Sequence, residues 1–451
     1  MDGFTLSLLG FALMLVLIFL RMPIGVALFL TGFIGIWIVL GRPSMMMAQL
    51  KSVSYETFSS YSLSIVPLFL LMGQFATKSG MSQALFRAAA DWMGHLRGGV
   101  AMASVGACAG FGAVCGSSLA TVSTMGQVAL PEMKRYGYSG RLSTGVLAAG
   151  GTLGILIPPS IILVIYAILT EQNIAKMFAA ALLPGMLAAA GYMATVAIYV
   201  RLRPDEATSL PRKPIGERMR ALVGVWPVVL IFGLVMWGIA GDSNWFRPGQ
   251  QALFTPTEGA AVGAVLAGLY GILTGGLNLK TFIECVLNTA STTAMIFFIV
   301  FGAQVFNSFL ALTQTPQGLA DWVTGQGFGP YTILIAMLLL YLVFGCVMDS
   351  LSMILLTIPI FFPVIESLDF GMTAEETAIW FGILALIVVE VGLITPPVGM
   401  NLFIISSIAR GVPISDTYKG VAPFVLSDLI RVVILVAFPA ISLWLVGVIF
   451  G

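Results

Sequence analysis

Long apolar stretches, nearly free of charge, recur along the whole chain at 3–20, 22–41, 57–77, 98–131, 142–170, 177–200, 221–241, 259–279, 285–320, 322–348, 391–409 and 432–451. A helix needs about 20 apolar residues to cross the hydrocarbon layer. The pattern therefore predicts a bundle of membrane helices. Arg21-Met22-Pro23 either joins two spans or breaks one helix. Residues 98–131 would make a helix of roughly 51 Å against a core of about 30 Å, too long for one crossing. Their middle, Cys115 to Thr124, is small and polar. That pattern predicts a re-entrant hairpin tip, because non-helical backbone at membrane depth survives only inside protein or beside water. A second hairpin is expected over about 322–365.

Composition narrows the class. Of 451 residues, 59% are hydrophobic and 9% charged, against about 25% charged in a soluble domain. So few charges cannot coat a water-facing surface, which excludes a soluble enzyme and makes the lipid bilayer the surroundings. The 50 glycines exclude a long coiled coil, and 21 Lys+Arg against 20 Asp+Glu argue against a nucleic-acid partner. Cys108, Cys115, Cys285 and Cys346 lie in apolar runs with no CxxC pair. Neither a disulfide framework nor a zinc site is expected. The segment Gly3 to Leu20 has no basic leader and no small-residue cleavage site, so it reads as a retained span.

Basic residues orient the chain. Residues 201–220 carry Arg201, Arg203, Arg212, Lys213, Arg218 and Arg220 against three acids, which places this loop in the cytoplasm. The first hairpin base, between Arg87 and Arg97 on one side and Lys134, Arg135 and Arg141 on the other, falls on the same face. The second is flanked by Asp321, Glu366, Asp369, Glu375 and Glu376 and is expected on the opposite face.

The two halves also match each other. Gln74 pairs with Gln304 and Ala90-Asp91-Trp92 with Ala320-Asp321-Trp322 at an offset of 230. Ser118-Leu119 pairs with Ser350-Leu351 and Pro131 with Pro363 at 232, Pro158-Pro159 with Pro396-Pro397 at 238, and Pro184 with Pro423 at 239. Ordered anchors with slowly rising offsets indicate a duplication, and the opposite hairpin orientations make the repeats inverted. The expected fold is an all-α polytopic membrane protein with two inverted-topology repeats, each holding a re-entrant hairpin and a broken transmembrane helix. Secondary transporters are built this way, with the site at the repeat interface. The expected division is 1–56 as N-terminal scaffold helices and 57–200 as the first repeat, with its broken helix near 142–170. Residues 201–284 follow as basic loop and linking helices, then 285–451 as the second repeat, with its broken helix near 379–409.

Chemistry is expected at the breaks. Hairpin tips fall at Gly116 to Thr121 and Met348 to Ser352, and interrupted spans at Gly151 to Ser160 and Gly392 to Asn401. The prolines unwind each span and free backbone carbonyls. Those carbonyls, with Ser/Thr hydroxyls and the Asn401 amide oxygen, are hard oxygen ligands suited to an alkali cation. Half-helix N-termini at the same depth suit a carboxylate. Asp349, a carboxylate at a re-entrant tip, is a functional candidate; its first-repeat counterpart is Ser117. Glu390 reads equally as a functional group or an interfacial residue, and Glu258 as a helix cap. His95 reads as a headgroup-level residue, and Arg410 and Arg431 as snorkelling span-end residues. There is no phosphate-binding GxxxxGK[ST] loop to use ATP, and no organic cofactor is expected.

At Leu63 to Phe69, Gly116-Ser117-Ser118, Gly154 to Ser160, Thr170-Glu171-Gln172, Phe254 to Glu258 and the Thr395-Pro396-Pro397-Gly399-Asn401 segment, the chain resembles the large membrane subunit of tripartite ATP-independent periplasmic (TRAP) transporters. The resemblance covers about residues 20 to 430, and the quoted stretches run from Leu63 to Asn401. The resemblance implies a sodium-coupled importer of dicarboxylate or sialic acid type in the bacterial inner membrane, with an elevator-type scaffold and transport domain. It implies sodium sites at Ser117, Ser118 and the Gly154 backbone, and at Asp349, Ser350, Thr395, Gly399 and Asn401. The substrate would lie near Ser118, Thr121, Pro158, Pro159, Ser350, Ser352, Pro396 and Pro397. It further implies a small membrane subunit and a periplasmic substrate-binding protein as partners. The chain departs from the family pattern in an external loop lengthened at Asp242–Gln251. A self-sufficient carboxylate carrier or antiporter, working without a binding protein, is the alternative. An intramembrane enzyme is disfavoured, since the single histidine lies outside any span and the cysteines are scattered.

Overall fold

The computed structural model describes residues 3–239 and 253–450; the loop at Asp242–Gln251 lies outside the described residues. Among the described residues every regular element is helical. The N-terminal part holds α1 (Gly3–Phe19), α2 (Ile24–Leu40), α3 (Pro43–Phe58), α4 (Ile65–Lys78) and α5 (Met81–Met93). The first hairpin is α6 (Gly99–Cys115) with α7 (Ser118–Arg135), followed by α8 (Gly140–Leu156), α9 (Ile161–Leu169) and α10 (Ile174–Leu202). Linking helices are α11 (Ile215–Val223), α12 (Trp226–Ile239) and α13 (Pro256–Leu273). The second half holds α14 (Leu279–Leu312), α15 (Thr315–Gly325), α16 (Pro330–Gly345), α17 (Ser350–Glu366), α18 (Ala374–Leu393), α19 (Met400–Ile408), α20 (Ile414–Ala437) and α21 (Ala440–Phe450). By length and apolarity α10, α13, α14, α18 and α20 can each cross a bilayer, and bent pairs add further candidate spans.

Local sequence sets the element boundaries. Ser117, Ser139, Ser160, Asn173, Asp349 and Thr373 each accept a hydrogen bond from the first turn of the helix that follows, satisfying amides that have no partner within the helix. Glu258 completes a capping box with Thr255, as its position suggested. α8 and α18 have no polar face and are buried almost throughout, as expected of helices that are apolar all round. α8 packs between α6, α7 and α20, and α18 between α16 and α17.

Repeat symmetry shows in the close approaches. A Cβ on Gly112 of α6 would lie 2.5 Å from Gly154 Cα of α8, and one on Gly392 of α18 would lie 2.6 Å from Gly345 of α16. These pairs, at offsets of 233 and 238, join each hairpin's first arm to its broken span. Both double prolines, Pro158-Pro159 and Pro396-Pro397, are cis.

Several expected boundaries move. α1 passes Thr313 at Gly3 and Phe309 at Gly10, whereas α2 passes Ile299 at Gly25 and Phe306 at Gly32. The two helices are therefore antiparallel, and Arg21-Met22-Pro23 is the turn between them. The stretch 57–77 is bent at its start: α3 ends at Phe58 and meets Tyr61–Lys78, which makes up the rest, at 47°. The stretch 285–320 divides at Thr313, where Gln314 takes φ 51 and α15 begins. The second hairpin starts at Pro330 rather than 322, and α14 runs straight through the domain boundary drawn at 284–285. Residues 432–451 are the end of α20 plus α21, so Arg431 lies inside a helix and is buried, not snorkelling from an end.

Between α10 and α11 the basic segment forms a strap across the base of the first repeat. Leu210 N donates to Gly94 O (2.9 Å) and Ser139 N to Glu206 O (3.0 Å). Tyr138 Oη donates to Thr208 O at 2.8 Å. Lys213 Nζ meets Asp91 Oδ1 at 2.6 Å, and the Arg218 guanidinium lies 4.4 Å from the Trp92 ring centroid.

Candidate functional site

The two hairpin tips meet. Gly116, in the left-handed conformation at φ 64, ends α6, and Ser117 caps α7. In the second repeat Cys346 to Met348 make the turn and Asp349 caps α17. Ser118 and Ser350, paired by the internal repeat, are therefore the first residues of their helices. Both are buried and both point at one carboxylate. Ser350 Oγ donates to Glu390 Oε1 at 2.6 Å, and Ser118 Oγ donates to Glu390 Oε2. Glu390 lies in the last turns of α18, fully buried. The interfacial reading of this residue is excluded.

A cavity of about 160 Å³ lies beside the tips, lined by Ser117, Ser118, Asp349 and Ser350, with Leu70 of α4 and Thr292 and Met295 of α14 on the far wall. Ligand pockets usually measure about 300 Å³ or more, and this one is smaller.

The remaining expected residues are placed unevenly. Gly154 is pressed against the first tip: a Cβ there would lie 2.4 Å from Thr121 Oγ1 and 2.8 Å from the Ser117 carbonyl oxygen. Thr121 itself donates to that carbonyl at 2.8 Å. Pro158 and Pro159 are buried, whereas Pro396 and Pro397 are exposed. The Asp349 carboxylate accepts from Ser352 N (3.1 Å) and Ser352 Oγ (2.5 Å), so it anchors its own helix start. Thr395 Oγ1 donates back to Val391 O at 2.6 Å, and Gly399 N donates to Cys346 O at 3.1 Å, tying the second break to the second tip. Asn401 reaches the first repeat, where its amide donates to Ala148 O of α8 at 3.3 Å. Its Oδ1 is buried and accepts no hydrogen bond. An orphaned buried acceptor of this kind fits a cation ligand.

A second polar cluster lies within the bundle. Arg431 Nη2 and Asp428 Oδ1 are 2.8 Å apart on α20, both buried. Asp428 Oδ2 accepts from Tyr192 Oη at 2.6 Å, and that hydroxyl lies 2.9 Å from Thr152 Oγ1. Thr152 is the repeat counterpart of Glu390 at the offset of 238, and Tyr192 that of Arg431 at 239. The signal missed in the sequence was a carboxylate three residues before an arginine within an apolar run, the spacing that makes helical neighbours.

Residues 11–441 match the family described as the tripartite ATP-independent periplasmic transporter, DctM component. The C4-dicarboxylate TRAP transporter large permease protein of Pseudomonas aeruginosa is 36% identical over 394 residues, covering 86% of this chain and 87% of the relative. The chain belongs to the TRAP family as a large membrane subunit. The sialic acid TRAP large permease of Vibrio cholerae is 28% identical over 430 residues, with 95% and 96% of the two chains covered. Among solved structures, the Alcanivorax borkumensis YdaH transporter superposes with a TM-score of 0.65 over 89% of each chain at 16% identity, a likeness of fold alone. The relatives are named as permeases, so the large TRAP subunit is a transporter component and not an enzyme.

Proposed function

We propose that this large TRAP subunit carries a small organic acid inward across the bacterial inner membrane, driven by sodium, through an elevator movement of the hairpin-bearing helices. A periplasmic binding protein delivers the substrate, and a small membrane subunit completes the transporter. The observation that carries this reading is the convergence of both hairpin tips on one cavity whose far wall is α4 and α14. A cavity between tips and neighbouring helices is where a moving carrier exchanges its cargo. Sodium is supported by the oxygen-only character of the groups present: tip hydroxyls, the Ser117 carbonyl and the orphaned Asn401 Oδ1. Among the described residues no cluster of His, Cys, Asp and Glu offers a transition-metal site, and hard oxygen donors suit an alkali cation. The substrate class follows the acids named for the Pseudomonas aeruginosa and Vibrio cholerae relatives.

The test is uptake of labelled dicarboxylates and sialic acids into proteoliposomes holding this chain and its small subunit. An inward sodium gradient and the binding protein are varied independently. Uptake is expected only with both. Uptake without the binding protein would instead mark a self-sufficient carrier, and uptake indifferent to sodium would remove the coupling ion.

A further inference from the structure

We propose that Glu390 is a positioning residue shared by both tips, which turns Ser118 and Ser350 into cation ligands by accepting a hydrogen bond from each hydroxyl. The inference rests on the sodium-coupled reading above and assigns a role within it that neither the resemblance nor the relatives supply.

A serine hydroxyl has one proton to donate and two lone pairs to offer. Ser350 donates its proton to Glu390 Oε1, and Ser118 donates its own to Oε2. With those protons committed, neither hydroxyl has a donor left for a substrate carboxylate. What remains are the lone pairs, made more basic by the carboxylate behind them. A carboxylate that hydrogen-bonds a ligand group both orients it and raises its basicity, as carboxylates do behind metal-bound imidazoles.

Charge points the same way. Both oxygens of Glu390 lie within hydrogen-bonding reach of a tip hydroxyl. The N-termini of α7 and α17, which begin at these serines, favour a negative charge there.

The arrangement explains why the tips differ while their serines match. Asp349 and Ser117 cap their helices by different chemistry, yet Ser118 and Ser350 reach the same acceptor. One carboxylate thus couples two cation positions, so that loss of Glu390 weakens both.

The experiment is a sodium titration of thermal unfolding on the purified chain with its small subunit, choline replacing sodium at constant ionic strength. It is run for the wild type and for Glu390→Gln. The amide accepts one serine proton but meets the other serine with an N–H. The sodium concentration for half-maximal stabilisation is expected to rise about 10–100-fold, the usual effect of removing a carboxylate that orients a metal ligand. An unchanged midpoint in Glu390→Gln, with a sodium-stabilised wild type, overturns the role of Glu390 and leaves sodium coupling standing. A wild type indifferent to sodium overturns both. Should Glu390→Gln not fold, Ser118→Ala and Ser350→Ala take its place. Each is expected to raise the sodium midpoint more than the half-saturating substrate concentration. The reverse order would show that the serines address the anion, and would overturn the proposal.

Discussion

Asp428 and Arg431 show what a single side chain can carry in this interior. Arg431 Nε and Nη1 have no hydrogen-bond partner, so Asp428 is the group that offsets its charge. Asp428→Asn leaves the guanidinium buried without its counter-charge, a loss of about 3–5 kcal/mol. Thermal unfolding in detergent is expected to show a clear drop, largely regained in the double variant Asp428→Asn/Arg431→Gln. A single variant as stable as the wild type would show that the pair does not hold α20 in place. At this scale the sequence was legible where repetition spoke twice. Ser118 and Ser350 stand out because their offset matches neighbouring anchors, and the structure brings them to one carboxylate. Glu390 did not stand out, because a lone acid near a span end looks alike whether it meets lipid headgroups or two serines. Only the folded positions of α7 and α17 separate the two readings.

Helix pairs set how closely the tips approach. The Gly112–Gly154 and Gly345–Gly392 crossings let backbones touch, as small residues do between membrane helices. Gly154→Ala would drive a methyl into Thr121 and the Ser117 carbonyl. It is expected to destabilise the chain by about 1–3 kcal/mol and to lower sodium-driven uptake more than the same change at Gly233, whose Cβ meets nothing within 4 Å. Equal loss at both positions would remove the close approach from the mechanism. Element existence was largely legible, since apolar length and the small, polar tips announce spans and hairpins. Turns inside apolar runs were not. The stretch 285–320 hides a turn at Thr313-Gln314 because both sides of it are apolar, and the left-handed Gln314 leaves no mark on hydrophobicity. The start of α20 is hidden differently: Asp416, Lys419, Asp428 and Arg431 interrupt its apolar run, so only the part after Arg431 reads as a span.

Across the whole molecule the basic strap fastens the ends of α5, α7, α8 and α10 to one another. Its most connected group is Glu206, which accepts from Ser139 Oγ and Tyr199 Oη at 2.7 Å each and from Arg203 at 3.0 Å. Burial alone would raise its carboxyl, but the hydrogen bonds from Tyr199, Ser139 and Arg203 outweigh burial and hold it below the usual glutamate range. A group depressed in the folded state contributes stability above its unfolded value, about pH 4.3. That contribution is lost as pH falls through the lower, folded value. Glu206→Gln is therefore expected to unfold at a lower temperature than the wild type at pH 7, with the gap closing towards pH 4 and below. A gap independent of pH would show that the carboxylate charge is not what secures the strap. The strap has a further consequence. Its ties reach both the turn after α5 and the turn between α7 and α8, so a carrier sliding past its neighbours must either drag the strap or shed it. Shedding would free the Leu210 and Ser139 amides, now bonded to Gly94 O and Glu206 O, to exchange their hydrogens with water. If the carrier slides as proposed, the rate of that exchange would be a clock on its strokes, readable from the water outside the bilayer.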